Sequence, residues 1–355
     1  MYNNIHIKPQ SRIKRFWMNF KENRLAILCA ALFALICLLS ILAPVIANDK
    51  PIILKYQHSY YFPIIKNYPE TTFNGVFPTI TNYQDPVIQH NILKQGWMIF
   101  PPLQYAENTA NLQLNQPVPS PPSSQNLLGT DNQGRDVLAR LLYGVRLSLF
   151  FAVTLTILST IIGIVIGALQ GYFAGWLDLI GQRLIEIWLG LPYLFIIMII
   201  VSLFRPSLWI FFLIMLSFNW MIVANLVRTE VLRIRKYDYI RSAQVLGFSN
   251  TKILFSHILP NALSSTLSQL PFLFTAQITA ITALDFLGYG LPVGSASLGE
   301  LLQQARNHLD APWLVWSSCL TLLLILTLLI YLGEACRDAL DPHQYKTQHH
   351  HGEYK

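Results

Sequence analysis

The sequence predicts an all-α integral membrane protein of six transmembrane helices, with a soluble insertion between the first span and the second. Composition is the first reason: 53% of its 355 residues are hydrophobic and only 12% carry charge, a balance that marks a chain solvated by lipid. The second is a set of six apolar stretches without Asp, Glu, Lys or Arg, at 25–48, 147–177, 187–204, 206–227, 253–284 and 311–333. Each is long enough to cross, since about 20 helical residues span about 30 Å of hydrocarbon. The third is a pair of basic clusters that agree on one topology.

Residues 1–24 form a basic segment with Lys8, Arg12, Lys14, Arg15, Lys21 and Arg24 against the single acid Glu22. Cationic residues are retained on the cytoplasmic side, so this end is expected there. The first span, 25–48, has too long an apolar run for the h-region of a signal peptide and no small-residue cleavage site at Pro44–Lys50, so it is read as a retained anchor. Residues 49–142 then lie outside, in a periplasm if the cell has two membranes. The first half of this segment interleaves aromatics such as Tyr56, Tyr61, Phe73, Tyr83 and Trp97 with Pro63, Pro69, Pro78 and Pro86. A small β or irregular subdomain with an aromatic core is expected. Residues 108–130 are uncharged but rich in Asn, Gln, Pro and Ser, and read as an aqueous linker.

Residues 143–333 carry five spans. In the second span, Gly163, Gly167 and Gly171 recur at helical spacing and offer a ridge for close helix packing. Arg183 and Glu186, three apart before the third span, predict a local ion pair. Residues 228–260 form the most polar interruption. Its Arg228, Arg233, Arg235, Lys236, Arg241 and Lys252 oppose Glu230 and Asp238, which places it in the cytoplasm with the amino terminus, and also the tail at 334–355. The overall charge of +7 is thus a leaflet signature and not a nucleic-acid footprint.

Several chemistries find no support. Cys29, Cys37, Cys319 and Cys336 form no CxxC framework. There is no GxxxxGK[ST], HExxH or GxSxG motif, and no metal or cofactor site is expected; His349, His350 and His351 read as part of a polar tail. No carboxylate falls deep in a span, which argues against an ion-coupled carrier.

The polar interruption has an internal design. Asp238 to Leu246 fits a short helix with Tyr239, Ala243 and Leu246 on one face, closed by Gly247 in a left-handed cap. Ser249 or Asn250 then caps a second helix, bent or shifted at Pro260. Small residues Ser242 and Ala243 would admit a partner's groove, with Arg241 as a charged rim.

This stretch, "SAQVLG" followed by "HILPN", resembles the EAA loop of ABC importer permeases, with matching spacing from Arg241 through Gly247 to Leu259 and Pro260. Arg241 replaces the loop's Glu, Ser242 its first Ala and His257 its Ile. "LGTDNQGRDVLARLLYGVRLSL" (128–149), "GYFAGWLDLIGQRLIEIWLGLP" (171–192) and "LGEACRDALDP" (332–342) are similar to dipeptide and oligopeptide permeases, of the DppC and OppC kind. The insertion "NDKPIILKYQHSYYFPIIKNYPE" and the segment "LDFLGYGLPVGSASLGELL" look like the YejE-type branch. The resemblance implies a type I ABC importer permease fold in a bacterial inner membrane, and import of oligopeptides, including the antibiotic microcin C. It implies a second permease of YejB type, ATPase domains of YejF type that use ATP and Mg²⁺, and a periplasmic binding protein of YejA type. This chain would then be half a pore and no enzyme, its elbow at 238–251 moved as a rigid body by the ATPase. Two rivals remain: a secondary peptide carrier, and a membrane anchor for an external binding module.

Overall fold

The computed structural model describes residues 12–340, other than 113, 115, 205, 206 and 293. The predicted histidine tail and Lys8 lie outside the described residues. The first element among the described residues is an amphipathic helix, α1 (Arg12–Glu22), not anticipated from the sequence. Asn23 then breaks the helix and restarts it, its side chain accepting from the Leu25 and Ala26 amides to cap α2 (Arg24–Ile41). After the short α3 (Ala43–Ile46) come the insertion and the long α5 (Val137–Phe173), then α6 (Gly175–Leu189), α7 (Tyr193–Leu203), α8 (Leu208–Ile234), α11 (Leu259–Phe286), α12 (Leu298–Asn307) and α13 (Pro312–Leu340). Among the described residues five helices are long and apolar enough to cross a membrane: α2, α5, α8, α11 and α13.

The sixth crossing differs from the stretch predicted at 187–204. α7 has 11 residues and rises only about 16 Å, half of the hydrocarbon thickness. It reaches a full crossing only together with α6, to which it is bent by 70°. Pro192 supplies the break, because its ring is incompatible with continuing the helix from α6. Asp178, Arg183 and Glu186 belong to α6, the other half of that bent pair. Arg183 Nη1 lies 2.6 Å from Glu186 Oε2, an exposed pair that contributes little.

The insertion contains the strand content that an all-α description omits. β1 (Ile53–Tyr56) is central to an antiparallel sheet, flanked by β2 (Ser59–Tyr61) and β3 (Gly96–Ile99). Leu54 opposes Tyr61 on one side and Met98 on the other. A helix, α4 (Pro86–Gln95), covers it with Ile88 and Ile92. Phe73 is fully buried at the centre, met edge-on by Tyr56, Tyr61 and Tyr83 with ring centroids 5.6, 5.3 and 5.8 Å away. Such pairs add about 0.5–1.5 kcal/mol each beyond their buried area. Trp97, Tyr60, Phe62 and Phe77 remain exposed. Within the stretch expected to be a solvated linker, Asn111, Ser120, Asn126 and Thr130 are buried, whereas Leu112, Leu127 and residues 116–118 and 121–125 are exposed.

Within the bundle α5 and α8 form the most extensive helix pair. Their approach is set by the glycine ridge. A Cβ on Gly163 would fall 2.5 Å from Val223 Cβ, one on Gly171 would fall 2.8 Å from the Arg228 carbonyl oxygen, and one on Gly167 would overlap the Ala224 carbonyl oxygen. The ridge therefore meets a helix of its own chain. Backbone cannot swing aside as a side chain can, so Gly167→Ala is expected to push the two spans apart at a cost of about 1–3 kcal/mol. A lower thermal midpoint of the purified protein checks this, with Gly190→Ala, whose Cβ would come no nearer than 3.3 Å to anything, as the control.

Candidate functional site

The elbow between α8 and α11 is built where the hydrophobic pattern stops and starts again. α9 (Asp238–Val245) leaves α8 after a three-residue turn. It buries Ile240 and Ala243 against Val227, Val231 and Ile234 of α8 and Ile253 and Ile258 beyond the turn. This differs from the predicted face. Tyr239 and Leu246 are 45% and 73% exposed, whereas Ala243 is 5% exposed and packs inside its own chain. The helix has only two turns, and its contact line runs between residues 240 and 243. Leu246, one step past the last turn, is carried outward by the reversal that follows.

That reversal is a Schellman cap. The Gly247 amide donates to the Gln244 carbonyl and the Phe248 amide to the Ala243 carbonyl, at 3.0 and 3.2 Å. Gly247 adopts φ +76°, with nothing within 4 Å of an added Cβ. The left-handed backbone is thus the sole constraint at this position. Ser249 caps α10 (Asn250–Lys252), accepting from the Lys252 amide. The helix then widens into one π segment, Ile253–Ile258, in which the Leu259 amide reaches back five residues to the Leu254 carbonyl. Pro260 explains the widening: it has no N–H to donate and its ring crowds the preceding turn. The shift expected at Pro260 therefore falls one turn earlier.

Side-chain contacts stiffen the elbow. Phe248 stacks on His257 with ring planes 6° apart and carries the Lys252 ammonium 4.4 Å above its ring. His257, at the position where the EAA pattern has Ile, thus has a packing role. The Tyr239 hydroxyl accepts from Asn261 Nδ2 at 3.1 Å, and the Tyr172 hydroxyl at the end of α5 donates to Asn250 Oδ1 at 2.8 Å. Ser242 is spent locally, its hydroxyl donating to the Asp238 carbonyl. Arg241 stands exposed, 4.0 Å from Asp238. Val245 and Leu246 project from the tip, 88% and 73% exposed, beside Phe248. The elbow thus presents an exposed apolar tip beside a charged rim.

At the opposite end of α5 lies a second site that sequence reasoning missed. Asp136 caps α5, accepting from the Ala139 amide at 2.7 Å and from Asn126 Nδ2 at 2.8 Å, and burial pushes its carboxyl up from the ordinary value. Arg135 Nε donates to Asp131 Oδ2 at 2.7 Å and Arg140 Nη2 to Glu300 Oε2 at 3.0 Å. Arg140 Nε is 3.4 Å from Asp131 Oδ2, within ion-pair range but not aligned as a hydrogen bond. Asp285 accepts from the Ser297 hydroxyl and the Leu291 amide. The network ties the start of α5, the end of α11 and α12 together. The available signal was "TDNQGRD", a run of charge directly ahead of an apolar stretch.

Residues 159–344 match the family described as binding-protein-dependent transport system inner membrane component. The chain belongs to that family. Residues 11–69 match the N-terminal transmembrane domain of oligopeptide transport permease C. The permease is 47% identical over 328 residues to the inner membrane ABC transporter permease protein YejE of Escherichia coli, covering 92% of this chain and 96% of that one. It is 44% identical to the peptidoglycan transport system permease protein YejE of Agrobacterium fabrum, covering 93% and 92% of the two chains. It is 30% identical to the dipeptide transport system permease protein DppC of Haemophilus influenzae, covering 94% and 96%. The permease is a multi-pass inner-membrane transport subunit, not itself an enzyme.

Proposed function

We propose that this permease is one half of the membrane channel of an ATP-driven oligopeptide importer, and that the elbow at 238–251 is where a partner ATPase docks. The elbow's geometry carries the reading: a rigid two-helix projection whose exposed apolar tip has no use within this chain. The relatives' names support the substrate class, since one refers to dipeptides and another to peptidoglycan, both of which contain peptide bonds. Small peptide antibiotics such as microcin C fall in the same class. The partners are a second permease of YejB type, an ATPase of YejF type that binds ATP and Mg²⁺, and a binding protein of YejA type, with no cofactor held by this chain. Closure of the ATPase would push the elbow, and the stacked Phe248–His257 unit and the Tyr172–Asn250 bond would pass the motion to α11 and α5.

Transport in proteoliposomes holding the assembled complex tests this. Uptake of a labelled tripeptide is expected to require ATP and to persist when the proton gradient is collapsed; uptake that follows the gradient without ATP overturns it in favour of an ion-coupled carrier.

The two basic clusters support a cytoplasmic elbow and termini, with the insertion in the periplasm. In a cysteine-free background, Ile65→Cys is expected to react with an impermeant thiol reagent from outside, and Thr251→Cys only after the membrane is opened. Both positions are exposed. The reverse pattern overturns the orientation.

A further inference from the structure

Two clefts meet beside the first turns of α5. One, of about 640 Å³, opens between α2 and α5 and is walled by Cys37, Ile41, Leu149, Phe150 and Val153. The other, of about 700 Å³, lies against the insertion and counts Asn48, Asp49, Lys50, Asn82 and Thr109 among its lining residues. They share Tyr143 and Glu107. An apolar wall thus adjoins a chamber that several polar and charged side chains line, the profile of a membrane amphiphile.

Depth agrees with this. Arg146, which lines the apolar cleft, is the last charge before the uncharged stretch that completes α5 at Phe173. It therefore stands at the edge of the hydrocarbon, where phospholipid phosphates lie. Ile41, Phe150 and Val153 are 67%, 70% and 44% exposed, so no other described helix of this chain covers them.

The charges of the joined clefts are then decisive. Asp49 is engaged by the Thr109 hydroxyl at 2.9 Å and Lys50 by Asn67 at 2.6 Å. The Tyr143 hydroxyl is fixed by donating to the Ala47 carbonyl at 2.9 Å. The side chains of Arg146 and Glu107 make no hydrogen bond or ion pair with any described residue, although both line the same cleft. One guanidinium and one carboxylate, held apart and unpaired next to an apolar wall, complement a ligand with separated charges of both signs. We infer that the cleft between α2 and α5 binds a zwitterionic phospholipid with a primary ammonium, of the phosphatidylethanolamine class. Its phosphate sits on Arg146, its ammonium donates to Glu107, and one acyl chain lies along Leu149, Phe150 and Val153. An anionic headgroup would leave Glu107 repelled, and a quaternary ammonium has no N–H to give it. The inference does not depend on the transported substrate.

Native mass spectrometry of the full-length, delipidated protein tests it, with dioleoyl phosphatidylethanolamine, phosphatidylcholine and phosphatidylglycerol as probes at equal mole fraction. One phosphatidylethanolamine is expected to be retained, about tenfold in preference to the others, the effect of one charge-assisted hydrogen bond. Arg146→Gln is expected to lower retention about tenfold. Glu107→Gln is expected to erase the preference over phosphatidylcholine while phospholipid still binds; it leaves intact the bond from Arg140 to the Glu107 backbone carbonyl. Unchanged thermal midpoints show that both variants fold. Equal retention by Arg146→Gln, preference for phosphatidylglycerol, or displacement of the lipid by a zwitterionic tripeptide each overturns the assignment.

Discussion

Aspartate at both Val245 and Leu246 is expected to abolish peptide-stimulated ATP hydrolysis while leaving the chain inserted and folded. The two side chains are 88% and 73% exposed, so the substitutions remove almost nothing from the chain's own core. Covered by a partner, a Val and a Leu stabilise an interface by about 1.5–3 kcal/mol each. Losing both, and placing two carboxylates in their stead, corresponds to a fall in ATPase affinity of at least about a hundredfold. Gly247→Val should give a milder form of the same defect. Nothing within 4 Å obstructs its side chain, so its cost is the backbone penalty for a β-branched residue at φ +76°, about 1–2 kcal/mol. Co-purification of the ATPase and hydrolysis in proteoliposomes read both variants. Full retention and wild-type coupling by the Val245/Leu246 variant would mean that the ATPase rests elsewhere. Ala243→Trp is not a companion test, because Ala243 lies within the cluster formed with Ile240, Val231 and Ile258; a tryptophan there damages the permease before it reaches any partner.

The elbow and the spans were legible in the sequence to different degrees, for physical reasons. Five crossings are visible because a lipid-facing helix needs an unbroken run of apolar side chains, which composition alone reveals. Of the bent pair only α7 is, inside the predicted stretch 187–204, because Asp178, Arg183 and Glu186 keep most of α6 out of any charge-free window. The partner of Asp178 is long-range: it forms a bidentate pair with Arg228 of α8, fifty residues away, whereas Arg183 pairs locally with Glu186. Similarly, Gly247 could be read as a left-handed cap, because the residues that need it adjoin it. The buried face of α9 could not, as it depends on where α8 and the π segment place their side chains. Asp131, Arg140 and Glu300 share this limit: adjacency of α5 and α12 is a tertiary fact, and each residue alone reads as a surface charge. The aromatic insertion divides the same way, with Phe73 at the core and Trp97 on the surface, although the two belong to one run of similar composition.

The buried network makes the largest stability prediction. Arg140 is fully buried, and besides Glu300 and Asp131 it serves the Glu107 and Ser295 carbonyls at 3.1 and 3.0 Å. Arg140→Met would fill a similar volume yet leave both carbonyls without their donor and the two carboxylates of Asp131 and Glu300 to share the single cation of Arg135. Breaking a buried pair from one side costs about 3–5 kcal/mol, enough to remove most of the monodisperse protein from a detergent extract. The double variant Arg140→Met/Glu300→Met should recover much of that loss, since the second substitution deletes the uncompensated charge; the recovery measures the coupling directly. Arg140→Lys should stand in between, because an ammonium is a compact point charge and lacks the guanidinium fork that here reaches two carbonyls and a carboxylate at once. Midpoints of thermal unfolding for the three variants decide the matter. A single Arg140→Met variant within about 0.5 kcal/mol of wild type, the range of surface substitutions, would show that the start of α5 and α12 are held by apolar packing of Val137, Leu298 and Leu301, with the ion network an accessory.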